Sequence, residues 1–159
     1  MITADSLEPP AGDPGQALDD MGRAVAPLMA EAWKRNGAFY GGRAFSLNAA
    51  ALAQLWLSGD LKLFVAYETD GNGAQEPVGY LTGLAFRPLQ CEGRMFQITD
   101  WWGRTKEAER VLFKAALDAM KFLGVSEAVA TLRAGESLPE LPPRWRETGR
   151  QEQVRFVKE

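Results

Sequence analysis

The sequence predicts a single α/β domain in which helices flank a mixed, mostly antiparallel sheet. Three observations carry that prediction. The chain has 159 residues, 46% hydrophobic and 25% charged, an ordinary one-domain length with apolar surface enough for a core. Apolar residues recur first with helical spacing, then in short strand-like runs, then again in a long helical stripe followed by more strand-like runs. Between two of those runs stands Asp70-Gly71-Asn72-Gly73, a strong turn signal that makes them a hairpin.

Residues 1–15 carry Pro9, Pro10, Gly12, Pro14 and Gly15 and read as an irregular N-terminal segment, leaving 16–159 as the domain. From Gln16, the apolar residues Leu18, Met21, Val25, Leu28, Met29, Ala32 and Trp33 share one helix face. Pro27 interrupts that face, because an interior proline removes a hydrogen bond and crowds the preceding turn. The expectation is a kinked helix, or two short ones, ending before Asn36-Gly37. A second helix is predicted over 48–57, capped by Ser46 or Asn48 and stopped by Gly59. Residues 61–67 are apolar on both alternating faces, as in an interior strand, and 77–86 form the return strand. A further strand covers 94–99 or a little beyond. The long helix follows over 105–123, its stripe running through Ala108, Val111, Leu112, Ala115, Ala116, Ala119, Met120 and Leu123, with Gly124 as its stop. Strands are expected at 127–132 and 151–157, and Pro139, Pro142 and Pro143 forbid a long helix between them. One β-α-β crossover is implied.

Composition excludes several function classes. With 18 basic and 21 acidic residues, the formal charge is −3, without the basic footprint that phosphate neutralisation needs, so nucleic acid is not an expected partner. No apolar run reaches the roughly 18 residues that span a bilayer, so no membrane partner is expected. The N-terminus lacks the basic start and apolar core of a signal peptide. A single cysteine, Cys91, excludes an intramolecular disulfide and a thiolate zinc cluster. The absence of histidine excludes Ser-His-Asp and Cys-His catalysis and imidazole metal ligation, so no metal is expected. Chemistry is left to carboxylates, lysine, tyrosine and backbone groups.

The hairpin carries a resemblance. Leu63-Phe64-Val65-Ala66-Tyr67-Glu68, a glycine turn, then Pro77-Val78-Gly79-Tyr80-Leu81 resembles the central hairpin of the GCN5-related N-acetyltransferases (GNAT proteins). The element order agrees from Gln16 onward, and Trp145-Arg146-Glu147-Thr148-Gly149-Arg150 is similar to a worn form of that family's Tyr-x-x-x-Gly-Phe terminus. The resemblance implies a fold that binds acetyl-CoA at a splayed pair of strands and transfers its acetyl group to an amine. It also implies a Gln/Arg-x-x-Gly-x-Gly/Ala loop before the long helix, whose amides hold the pyrophosphate. The matching residues are Asp100-Trp101-Trp102-Gly103-Arg104-Thr105, which makes Gly103, Arg104 and Thr105 the cofactor-binding candidates. Glu107 and Glu109 follow in the first helical turn, where they suit the helix dipole but repel a pyrophosphate.

The family's general acid falls on Trp145, whose indole cannot protonate a leaving thiolate. The tyrosines, Tyr40, Tyr67 and Tyr80, lie far from it in sequence. Asp100 is the candidate catalytic base, with Glu92 as an alternative; the plainer role for Asp100 is a turn residue or a partner of Arg104. Trp101, Trp102 and Trp145 are candidate interface anchors, although neighbours in a strand face opposite ways, so one of the first two is expected in the core. Gly103-Arg104-Thr105 reads more readily as a strand–helix turn with a threonine cap than as a phosphate cradle. Arg144, Arg146, Arg150 and Arg155, interleaved with Glu147, Glu152 and Glu159, read as a solvated, salt-bridged edge.

Three readings follow. The first is a GNAT-fold protein that has lost catalysis and works through protein contacts. A narrower resemblance to small phage-encoded proteins of this fold, some of them internal virion or head-associated components, rests on Trp101-Trp102-Gly103-Arg104 and a missing Gly-x-Gly. It places such a protein in the cytoplasm of a bacterial host or in a virion, with protein partners in a viral assembly. The second is an acetyl-CoA-dependent N-acetyltransferase acting on an amine of a small molecule or protein. The third is a regulatory module that binds acyl-CoA without turnover. The cofactor is accordingly none or acetyl-CoA.

Overall fold

The computed structural model describes residues 1–12, 14–37, 41–89, 92–132 and 136–150; Tyr40, Cys91 and the strand expected at 151–157 lie outside them. Eight elements run in the order β1 (Ile2–Leu7), α1 (Gly15–Asn36), α2 (Ala49–Leu57), β2 (Leu61–Thr69), β3 (Gln75–Phe86), β4 (Met95–Gly103), α3 (Lys106–Phe122) and β5 (Glu127–Ala130). The strands form one sheet in sequential order; β1 to β4 pair antiparallel and β5 lies parallel to β4. The β4-α3-β5 unit is the predicted crossover.

The apolar patterns explain the layers. In β2, Leu63 and Val65 face α1 and α2 in a cluster with Met21, Val25, Leu28, Ala32, Trp56 and Tyr80. Their neighbours Phe64 and Ala66 face α3, in a second cluster with Leu81, Phe96, Ile98, Leu112, Phe113, Ala116 and Met120. Period-2 alternation in the strand thus splits one run of sequence between two cores. The α3 stripe is buried at Ala108, Leu112, Ala116 and Met120, but Val111, Ala115 and Ala119 are only partly covered, Leu123 is exposed, and Phe113 and Leu117 complete the buried face. Asn48 caps α2, its Oδ1 accepting from the Ala51 amide at 3.1 Å, and the indole of Trp56 donates to the Leu7 carbonyl at 2.8 Å, tying α2 to β1.

One expectation changes and two are resolved. The N-terminal segment is not wholly irregular, because Ile2–Leu7 pairs with β2 from Ile2↔Glu68 to Leu7↔Leu63. Its alternation is weak, with Ile2 and Ala4 only partly buried against the α3 cluster; the outer edge of β2 supplies the ladder that holds it. Helix α1 is one helix through Pro27, rather than two short ones. Strand β4, expected over 94–99 or a little beyond, runs on to Gly103 and takes in the first residues of the stretch matched to the cofactor loop.

Candidate active site

The sheet opens at β4 and β5. Their parallel pairing begins at Met95↔Glu127 and ends at Ile98↔Ala130, whereas β4 continues to Gly103. Among the described residues, 99–103 therefore pair with β3 alone. An irregularity sits where the β5 pairing ends. The β3–β4 register passes from Gly83↔Ile98 to Thr82↔Asp100, making Thr99 an inserted residue, and such a bulge turns the strand's polar groups away from regular pairing. Thr82 and Thr99 hold the bulge, their hydroxyls 2.8 Å apart, and Thr99 Oγ1 also donates to the Thr82 carbonyl at 3.2 Å.

Asp100 follows the bulge. Its half-buried carboxylate accepts a hydrogen bond from the Tyr80 hydroxyl, whose ring is buried among the α1 and α2 residues. Nothing local announces this contact: the two residues are 20 apart, and only the β3–β4 register brings them together. Sequence spacing alone missed Tyr80.

The strand exit into α3 is closely packed. A Cβ on Gly103 would stand 2.9 Å from both the amide nitrogen and Cγ of Glu109, and 3.0 Å from the Ala108 Cβ. The Arg104 amide donates to the Val78 carbonyl at 2.9 Å, continuing the ladder. Thr105 caps α3, its Oγ1 accepting from the Ala108 amide at 3.1 Å. Behind the cap lies Glu109, a buried carboxylate held by Lys106 at 2.9 Å and approached by Arg35 at 3.6 Å. Glu107 pairs with Arg110, whose hydrogen bond keeps its carboxyl below the usual range.

No protein-family model and no curated protein matches the sequence. Solved structures do match the fold. An aminoglycoside acetyltransferase from an uncultured soil metagenomic sample, solved with sisomicin, superposes with a TM-score of 0.59 at 16% identity over 83% of this chain and 78% of its own. A second aminoglycoside acetyltransferase from such a sample gives 0.55 at 19% identity over 85% and 82%. The ribosomal-protein-alanine N-acetyltransferase of Brucella melitensis biovar Abortus 2308 gives 0.53 at 16% identity over 82% and 79%. The chain has the GNAT fold.

Within the GNAT fold the candidate residues separate. Asp100 lies beside the bulge at the splay, but it is neither a turn residue nor the partner of Arg104. Arg104 instead bridges Glu31 of α1, at 3.0 Å, and Glu76 of β3. These hydrogen bonds push the Arg104 guanidinium up from its usual value, the Glu31 contact most, and the same contact holds the Glu31 carboxyl down. Gly103 is occupied by packing and Thr105 by its cap. Glu92 sits in the β3–β4 connection, at the opposite end of β4 from the splay. Trp101 is a core residue, its ring T-shaped against Phe113 at 5.2 Å, the member of the adjacent pair that takes the packing role. Trp102 takes the other face, half-buried against the α1–α2 cluster.

Trp145 is half-buried against the α3 cluster and, with Leu138, Leu141, Ile98 and Phe113, lines a cleft of about 710 Å³ beside β5. The prolines act as expected, since residues 136–150 contain no helix. Within the charged edge, Arg150 pairs with Glu147 at 2.9 Å. No helix among the described residues is long and apolar enough to cross a membrane.

Proposed function

We propose that this chain is an acyl-CoA-dependent N-acyltransferase. The observation that carries the reading is the splay: pairing of β4 with β5 ends at Ile98, immediately before the bulge at Thr99, so among the described residues the backbone of 99–103 pairs with β3 alone. Such a strand edge fits the amide-bearing arm of coenzyme A, which can hydrogen-bond as a further strand would. On the first turn of α3, Lys106 is a cation for the phosphates, which would compete for it with its partner Glu109. When bound, the thioester would supply an activated acyl group. The Asp100 carboxylate is the group that takes a proton from the attacking amine, directly or through water, and Tyr80 holds that carboxylate in place. The indole of Trp145 donates hydrogen bonds but not protons, so the departing sulfur takes its proton from solvent.

The test is thermal denaturation with acetyl-CoA followed by thiol release with a panel of primary amines. A ligand of the native state must raise the melting temperature. Replacing Asp100 with Asn should lower turnover by about 10²–10⁴-fold. No stabilisation at millimolar acetyl-CoA would refute the reading.

A second reading, a catalytically lost GNAT fold acting through protein contacts, is favoured by the closed entry to α3. Thr105 already satisfies one of its first amides, and the buried Glu109 sets a carboxylate beside that turn. The phage setting rests on the sequence resemblance at residues 101–104. A shift in melting without turnover would favour the regulatory acyl-CoA module instead.

A further inference from the structure

Arg35, at the end of α1, joins four parts of the molecule. Its Nη2 donates to the carbonyl of Trp101 at 3.2 Å, within the stretch of β4 that β5 leaves unpaired. Its Nη1 lies 3.6 Å from Oε1 of the buried Glu109 on α3, and its Nε lies 3.5 Å from Oε1 of Glu136, in the chain that follows β5. These contacts span 66 residues to Trp101 and reach both sides of the splay. One guanidinium presents its donors as a planar fork in fixed directions, so a single side chain can hydrogen-bond one carbonyl while standing at ion-pair distance from two carboxylates on separate elements.

The position matters because an extended ligand laid along β4 must find backbone partners there. The Trp101 carbonyl is one of the acceptors in that stretch, and Arg35 holds it. Glu136 and Glu109 keep the guanidinium in place, and neither is fully solvated: their side chains are 24% and 4% exposed. Each contact is therefore screened less than a surface pair.

We infer that Arg35 is a strap across the mouth of the splay, which an amide-bearing chain such as the arm of acyl-CoA must displace from Trp101 before it can bind. The inference rests on the acyltransferase reading for the identity of the ligand. It assigns α1 and the segment after β5 a shared role in setting affinity. Loosening either hold on Arg35 should tighten binding.

The experiment is calorimetric titration of acetyl-CoA into the wild type, Arg35→Met and Glu136→Ala, with melting curves to verify folding. Methionine keeps most of the apolar stem and removes every donor. The expected result is an affinity about tenfold higher for Arg35→Met, the scale of one charge-assisted hydrogen bond no longer in competition. Glu136→Ala should gain about threefold, because it frees one contact and leaves the others. If removing Arg35 leaves Glu109 too poorly paired for the protein to fold, Glu136→Ala carries the test alone, as it leaves the Arg35–Glu109 contact intact. Wild type and variants binding equally, or variants binding more weakly, would overturn the strap while leaving the acyltransferase reading standing. Failure of all three proteins to bind would overturn both.

Discussion

Replacing Gly103 with Ala tests whether the space at this position serves packing or a ligand. The added methyl would lie 2.9 Å from the backbone nitrogen of Glu109, 2.9 Å from its Cγ and 3.0 Å from the Ala108 Cβ. Two of those three atoms cannot swing aside: the nitrogen belongs to the α3 backbone, and the Ala108 Cβ is fixed to it. Overpacking of this kind costs about 1–3 kcal/mol. Against it stands the loss of unfolded-chain freedom when glycine becomes alanine, which stabilises by about 0.4–1 kcal/mol. The clash wins: at the centre of each range, about 2 against about 0.7 kcal/mol, the net expectation is a destabilisation of roughly 1.3 kcal/mol. Urea denaturation monitored by tryptophan fluorescence measures it. Unchanged or higher stability would refute the reasoning, because it would show that β4 and α3 have slack at their junction. The outcome also governs how ligand data are interpreted: affinity lost in this variant reports a displaced α3 as readily as a missing phosphate contact.

Leu112→Ala should cost about 2–5 kcal/mol, since Leu112 is fully buried and its Cδ1 packs where β3 is opened by Gly79; Met120→Ala belongs to the same range, and a loss below about 0.5 kcal/mol in chemical denaturation would contradict the buried face. Thr105→Ala should cost about 1 kcal/mol by removing the α3 cap, with Thr105→Ser restoring most of it in the same assay. Glu31→Gln should flatten the acid limb of the stability curve. The Arg104 hydrogen bond holds the folded Glu31 carboxyl below its ordinary 4.5, so its contribution is present above that value and is lost as pH falls through the lower folded one. Melting curves at pH about 6 and about 3 should show the wild type and variant converging on acidification, by a modest amount because the pair is partly solvated.

The elements with local signatures were legible. Apolar periodicity marks α3 and its buried face, a side-chain cap and a glycine bound α2, and the Asp70–Gly73 turn marks the β2–β3 hairpin. Strand β1 was not legible, because its six residues alternate only weakly and become a strand through hydrogen bonds to a partner some sixty residues away. The extension of β4 was hidden for a related reason: Asp100 and Gly103 carry turn propensity, and β3 overrides it by pairing with both.

The site divides along the same line. Composition alone pointed the chemistry to carboxylates, lysine, tyrosine and backbone groups, and the family resemblance singled out Asp100 and Gly103-Arg104-Thr105 ahead of the long helix. Which partner each residue takes was decided only in three dimensions. Asp100 meets Tyr80 rather than Arg104, Arg104 turns to Glu31 and Glu76, and Arg35 reaches across to Trp101. Patterns of three to four residues, or of two, specify helices and strands because they record which face is buried. Contacts such as these depend on strand register and helix placement, which no short stretch of the chain contains, and so the splay and the residues that close it exist only in the folded sheet.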